Sequence, residues 1–261
     1  MLSLVSILSW GALAGVAEAA QIRWNAPFDV YTPAAVLNSG VTVDAYNATP
    51  FTTANVAIHG VDFASGTAIF GQTYPNTPLD GLSTGYRDLD VLLGGFDHSA
   101  NMSDVIQIGA GRLTPQGLYA VQVFYTDIRS CCLGRAMTFD DRQGHAVTIG
   151  GGGGRSFGQS AIGYFLATGT SEDLLLQGNG VESHITGYQV RRIPEGTIVP
   201  QTPPTGGARA DFDVLGLTAG DDVVLVGGRA VGQTPVPGCP GASVGLQRPI
   251  VLGRATAGAS G

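Results

Sequence analysis

The sequence predicts an all-β protein: an antiparallel jelly-roll β-sandwich followed by a partial second, smaller β-sandwich module. Three observations predict it. Apolar residues recur with period two or in short runs, the pattern of strands that bury one face or both. Clusters of Gly, Asn, Asp and Pro interrupt those runs at short intervals. The composition, 40 Gly and 14 Pro against 13% charged residues, supplies many turns and few exposed helices.

The first element is a leader. Leu2 to Val16 is almost wholly apolar or small, and Ala17-Glu18-Ala19 places small residues where a signal peptidase reads them. Cleavage is expected after Ala19, so residues 1–19 are set apart as a signal peptide. No Lys or Arg precedes the apolar run, which leaves the terminal amine as the only positive group there. No other stretch approaches the roughly 20 apolar residues needed to cross a bilayer, so no membrane span is expected after cleavage. The expected location is outside the cell or on its surface.

Residues 20–193 carry the large sandwich. Strands are predicted at Gln21–Trp24, Val41–Tyr46, Val56–Phe63, Thr67–Phe70 and Val105–Ile108. Leu118–Tyr125 is the strongest, β-branched and aromatic with Gln122 interrupting one face. Arg135–Phe139, His145–Ile149, Ala161–Ala167, Asp173–Leu176 and Ile185–Ile193 follow. Pro115-Gln116-Gly117, Asp140 to Gly144 and Gly178-Asn179-Gly180 supply turns. One short helix is predicted, over Tyr86–Leu93. Residues 194–207, with four prolines, read as an extended linker. Residues 208–261 read as three strands, Ala210–Leu217, Asp222–Val226 and Arg248–Leu252. The run from Ala255 to Gly261 holds no closing strand, so this module is expected to be incomplete.

Charge and residue usage exclude several chemistries. All 13 basic residues are Arg; with no lysine there is no Schiff-base or P-loop amine. A net charge of −7 with scattered arginines argues against a nucleic-acid partner. His59, His98, His145 and His184 are dispersed without metal-ligand spacing, and Cys131-Cys132 with a remote Cys239 makes no zinc motif. Gly241-Ala242-Ser243-Val244-Gly245 matches a nucleophile-elbow string, but its flanks predict no helix and no histidine follows it. Gly150–Gly154 is followed by a predicted strand, not a helix, which fits a hairpin tip better than a phosphate cradle. Asn47-Ala48-Thr49 and Asn101-Met102-Ser103 match glycosylation acceptors. The chain is therefore expected to be non-catalytic.

The segment with most chemical promise is Tyr125 to Arg135. Tyr125 can offer an aromatic face, and Asp127, Arg129 and Arg135 can hydrogen-bond vicinal hydroxyls. Adjacent Cys131 and Cys132 can close a strained ring that stiffens the loop. Three readings stand beside one another: a ligand-binding loop of Tyr125, Asp127, Arg129, Cys131, Cys132 and Arg135; an ion pair from Asp127 to an arginine that pins a structural loop; or a disulfide from Cys131 or Cys132 to Cys239.

Leu118 to Asp127, Arg129, Ala136 to Phe139 and the closing Ile185 to Arg191 strand resemble galactose-binding-like jelly rolls. The resemblance covers about Ile22 to Ile193 and is closest to malectin-like and carbohydrate-binding modules of bacterial secreted proteins. Gly238-Cys239-Pro240-Gly241, Val251-Leu252-Gly253 and the Ala255 to Gly261 ending resemble a small sandwich module of bacterial surface proteins. Together these imply a polysaccharide or surface glycan as partner, or surface display without a small ligand; a glycan-active hydrolase or lyase is a further alternative. They imply no cofactor beyond a structural calcium, for which the acids Asp80, Asp88, Asp90, Asp97 and Asp104 are the candidates.

Overall fold

The computed structural model describes residues 20–48, 55–65, 69–70, 72–75, 83–127, 134–150 and 157–194, together with six strands between 197 and 256. The expected leader, 1–19, lies outside the described residues. The chain divides into two compact units between Arg192 and Ile193.

In the first unit, β1 (Arg23–Trp24), β2 (Phe28–Val30) and β3 (Val41–Asn47) are followed by β4 (Val56–Ile58), β5 (Val61–Ser65) and β6 (Gln72–Pro75). Helix α1 (Arg87–Leu93) leads to β7 (Gly95–His98), β8 (Ser103–Ile108), β9 (Leu118–Tyr125) and β10 (Ala136–Asp140). The remaining strands are β11 (Ala146–Gly150), β12 (Gly158–Leu166), β13 (Glu172–Gly178), β14 (His184–Ile185) and β15 (Gly187–Arg192).

Two four-stranded antiparallel layers form the sandwich, ordered β3-β15-β9-β12 and β8-β13-β10-β11. From β3 onward the chain passes from one layer to the other at each connection between these strands except the β10–β11 hairpin. That path is a jelly roll. β1 and β2 both pair with β12, β5 joins β3 in parallel, and β4 pairs with β5, so the first layer is extended at both flanks. β6, β7 and β14 make a small separate sheet.

Side-chain alternation explains the second layer. Ile106, Ile108, Met137, Phe139, Val147, Ile149, Leu174 and Leu176 all point into the main core, while their neighbours Gln107, Thr148, Asp173 and Gln177 are exposed. This is the pattern of a sheet with one wet face. β9 behaves differently: all eight of its residues are buried. Tyr119, Val121, Val123 and Tyr125 enter the main core, whereas Phe124 enters a second cluster with Val56, Ile58, Val61, Phe63, Leu89, Leu92 and Leu93. The three leucines sit at i, i+3 and i+4 on α1, the spacing of one helix face. The helix ends at Gly94, where a Cβ would lie 2.6 Å from the Asp90 carbonyl oxygen.

The rest of that outer face is covered by residues 35–40, and polar side chains hold them down. Gln122 and Gln189 are directly opposed across β9 and β15. Gln122 accepts from Leu37 N–H (2.8 Å) and donates to Ala35 O (2.8 Å), and Gln189 donates to Leu37 O (2.9 Å) and to Gln122 Oε1 (2.7 Å). Arg191, also buried, donates to the carbonyls of Asn38, Ser39 and Gly40. A loop laid on a sheet needs its backbone groups satisfied, and these three side chains do it.

Several predicted strands are redrawn. Val56–Phe63 is a hairpin and not one strand, because His59 (φ 51°) and Gly60 (φ 79°) turn the chain in the left-handed region. Ile185–Ile193 is split into β14 and β15, which join different sheets. The predicted helix forms, with Tyr86 at its N-cap position. In Thr67–Phe70 only residues 69–70 are described, and they form a bend.

The second unit contains β16 (Thr197–Pro200), β17 (Phe212–Leu215), β18 (Asp222–Gly227), β19 (Ala230–Pro235), β20 (Ser243–Gln247) and β21 (Ile250–Thr256). They form three antiparallel ladders, β16/β17, β18/β21 and β19/β20. Five strands, β17 to β21, therefore stand where three were expected, and part of the expected linker is β16. Ser243 opens a strand, so the nucleophile-elbow string has no strand-to-helix turn around it. No helix among the described residues is long and apolar enough to cross a membrane.

Candidate functional site

Jelly-roll connectivity gathers four connections at one end of the sandwich: β3 to β8, β9 to β10, β11 to β12, and β13 to β15. Hydrogen bonds between them mark the convergence: Asn179 N–H donates to Ala136 O (3.1 Å) and Ser183 N–H to Asn101 O (2.7 Å). The segment predicted to bind a ligand is the β9–β10 connection. Of the glycine run, only Gly150, the last residue of β11, is among the described residues; β11 and β12 belong to different layers, so they do not form a hairpin with each other.

Within the predicted site, Tyr125 is fully buried. Its ring centroid is 4.7 Å from that of His184, which in turn lies 4.8 Å from Phe96. The aromatic face expected on the surface is instead in the core, beneath the loop end. Asp127, two residues beyond β9, is also fully buried, and Arg135 Nη1 donates to its Oδ2 at 3.3 Å. The Arg135 side chain remains 28% exposed. This ion pair bridges the two sides of the 128–133 segment, which corresponds to the loop-pinning reading of Asp127. Arg129, Cys131 and Cys132 lie outside the described residues, as does Cys239.

A buried acid lies at the same end. Asp97 on β7 accepts from Tyr46 Oη (3.0 Å) and from Phe70 N–H (3.1 Å). Burial raises its carboxyl above the ordinary range, and hydrogen bonds from Phe70, Tyr46 and Ile69, with the nearby His98, only partly offset this. Burial, then the adjacent Asp97 charge, drives the Tyr46 hydroxyl well upward. His98 and His184 are register partners across β7 and β14. Each donates Nδ1–H to a nearby carbonyl, Ser99 O at 2.9 Å and Glu182 O at 3.1 Å.

The other predicted acids each serve a local turn. Asp90 accepts from Thr84 N–H (2.7 Å) and Oγ1 (2.6 Å) before α1. Asp104 accepts from Asn101 Nδ2 (3.2 Å) and Ser183 Oγ (3.0 Å). Partial burial pushes Asp104 up, but hydrogen bonds from Ser99, Asn101 and Ser183 outweigh it and hold the carboxyl below its usual range. Asp88 is exposed and Asp80 lies outside the described residues. Among the described residues no three His, Cys, Asp or Glu side chains are grouped as a metal site, so Asp88, Asp90, Asp97 and Asp104 are not brought together as one.

One feature of this end escaped the sequence reading. Beyond the β2–β12 pairing, the rings of Tyr31 and Phe157 meet at 4.2 Å with a 53° tilt. Tyr31 Oη donates to Asp29 Oδ2 (2.9 Å) and Gln159 Nε2 donates to Asp29 Oδ1 (2.7 Å). Tyr31 is exposed, while Asp29, Phe157 and Gln159 are half-buried. Only the cross-strand register makes Tyr31 and Phe157 neighbours, and no local motif carries it. Comparison of the chain with protein-family models, curated proteins and solved structures gave no match.

Proposed function

We propose that this chain is an exported, non-catalytic module that binds a polysaccharide or surface glycan at the loop end of its sandwich. One observation carries the reading. The converging connections of the jelly roll bear a partly exposed guanidinium, Arg135, fixed by a buried carboxylate, Asp127. A planar fork of donors held in place can engage adjacent sugar hydroxyls without first losing rotamer freedom. The resemblance to galactose-binding-like jelly rolls supports the same reading at the level of fold analogy, which alone does not establish function.

Two further readings compete. A spacer or adhesive unit of a surface protein needs no small ligand, and a glycan-active hydrolase or lyase needs an acid–base pair facing a substrate cleft. Titration calorimetry of the full chain against a panel of neutral and acidic polysaccharides separates them. The proposal expects saturable binding to at least one, weakened by Arg135→Lys, which keeps the charge and loses the fork. Absence of binding across the panel overturns it in favour of a spacer, and release of reducing ends from any panel member moves the chain to the enzymes. Export is tested separately by the mature N-terminus, expected at Ala20.

A further inference from the structure

Resting on the glycan-binding reading, we infer that the Tyr31–Phe157 pair is the stacking ledge on which a neutral pyranose ring lies. Exposed aromatic residues scattered singly need no explanation, but Tyr31 is held in three ways. Phe157 supports its ring at 4.2 Å, Asp29 takes its hydroxyl at 2.9 Å, and Gln159 fixes Asp29 at 2.7 Å. The ladder beneath is equally determined, since Asp29 faces Gln159 and Val30 faces Gly158 across β2 and β12. Even so, Tyr31 stays 52% exposed. A flat apolar ring is thus preorganised at the surface with polar groups along its edge.

That combination matches the chemistry of a hexopyranose. One face of such a sugar presents C–H groups, which pack on an aromatic ring, and its rim presents hydroxyls, which need donors and acceptors. Tyrosine offers a large amphipathic contact with only two torsions to immobilise, and here even those are fixed before binding. The site also selects by charge. The net charge of −7 disfavours uronate sugars, so neutral pyranosides are favoured over acidic ones.

The same geometry relocates the aromatic contact. Tyr125 is buried beneath the loop end, and Tyr31, just beyond β2, supplies an exposed ring at that end. Its pairing through Gln159, which lies between Asp29 on β2 and Tyr125 on β9, ties the ledge to the strand that leads to Asp127.

The test uses the full chain with galactomannan and a mixed-linkage β-glucan as neutral probes and polygalacturonate as the acidic one. Tyr31→Ala is expected to weaken the neutral probe that binds by about tenfold or more, the loss typical of an aromatic anchor. Tyr31→Phe keeps the ring and is expected to stay within about threefold, since one exposed hydrogen bond contributes little. A second readout needs no variant: bound glycan should protect Tyr31 from nitration while leaving Tyr86, 46% exposed, fully reactive. Unchanged affinity in Tyr31→Ala with Tyr31 still nitrated overturns the ledge while leaving glycan binding standing. A preference for polygalacturonate overturns the selectivity for neutral sugars. Failure of the wild-type chain to bind any probe overturns both proposals together.

Discussion

Tyr46 and Tyr188 face each other across β3 and β15 with their rings stacked at 5.8 Å, yet their hydroxyls end on different aspartates. Tyr46 donates to Asp97 at 3.0 Å, and Tyr188 donates to Asp44 at 2.8 Å. Asp44 is only partly buried and has Arg112 at 3.1 Å. Asp97 is fully buried, and no guanidinium lies within ion-pair distance of it among the described residues. One tyrosine thus leads to a carboxylate beside a guanidinium and the other to a carboxyl group that water cannot reach.

Asp97 should make stability fall as pH rises. Its carboxyl is raised in the folded state, chiefly by burial, so the folded chain holds that proton more tightly than the unfolded chain does. The resulting stabilisation is complete below the unfolded value, about 3.9, and is lost as pH climbs through the folded one. Asp97→Asn can still accept from Tyr46 and Phe70 without carrying a charge. Its melting temperature should match the wild type near pH 4 and exceed it at pH 7.5. Parallel pH profiles for the two proteins would show that Asp97 is not the source.

Gln122 should be needed by the loop it holds. Gln122→Leu removes the acceptor for Leu37 N–H and for Gln189 Nε2, each buried unsatisfied group costing about 1–3 kcal/mol. The urea midpoint should drop with an unchanged slope, and the Leu37 amide should exchange faster. Gln122→Leu/Gln189→Leu should cost less than the sum of the single changes, because the two amides are each other's partners.

Arg135→Ala should destabilise by about 1–3 kcal/mol, because it leaves the Asp127 carboxylate buried without this ion-pair partner. Asp127→Asn in the same chain should recover part of that loss. A double-mutant cycle by chemical denaturation measures the coupling; a value near zero would mean that the pair does not hold the loop together.

Gly163→Ala should loosen the N-terminal strand. A Cβ there would collide with Ile22 Cγ2 and lie 2.8 Å from Trp24 Cε3, and overpacking of that kind costs about 1–3 kcal/mol. Gly134→Ala, with nothing within 4 Å of the added Cβ, is the control and should be close to neutral. Equal melting temperatures for the two variants would disprove the close packing of β1 on β12.

The sandwich was legible wherever side chains alternate. β10, β11 and β13 follow the predicted strands to within a few residues, because one face of that layer is wet and the period-two signal is clean. β9 was located correctly, but its surroundings were not. A strand whose one polar residue is Gln122 is covered on both faces, and that same signal places Tyr125 in the core. The hairpin at His59–Gly60 was hidden because histidine is not a customary turn residue, although Gly60 marked the spot. β7 was missed because Gly-Phe-Asp-His neither alternates nor runs apolar. At the site, Asp127 and Arg135 lie close in sequence, so their pairing could be anticipated. Tyr31 and Phe157 become neighbours only through strand register, which one sequence does not disclose.

The sandwich begins and ends on adjacent strands: Asp44 and Tyr188, partners in space, are 144 residues apart in the chain. An order of assembly follows. While the polypeptide emerges from the ribosome, β3 has only β5 beside it until β15 has been made, and β9 lacks one neighbour for the same reason. Such long-range closure is slow, because the loop entropy is lost before the contacts that reward it can form. The two layers of the first unit are therefore complete only when β15 takes its place between β3 and β9.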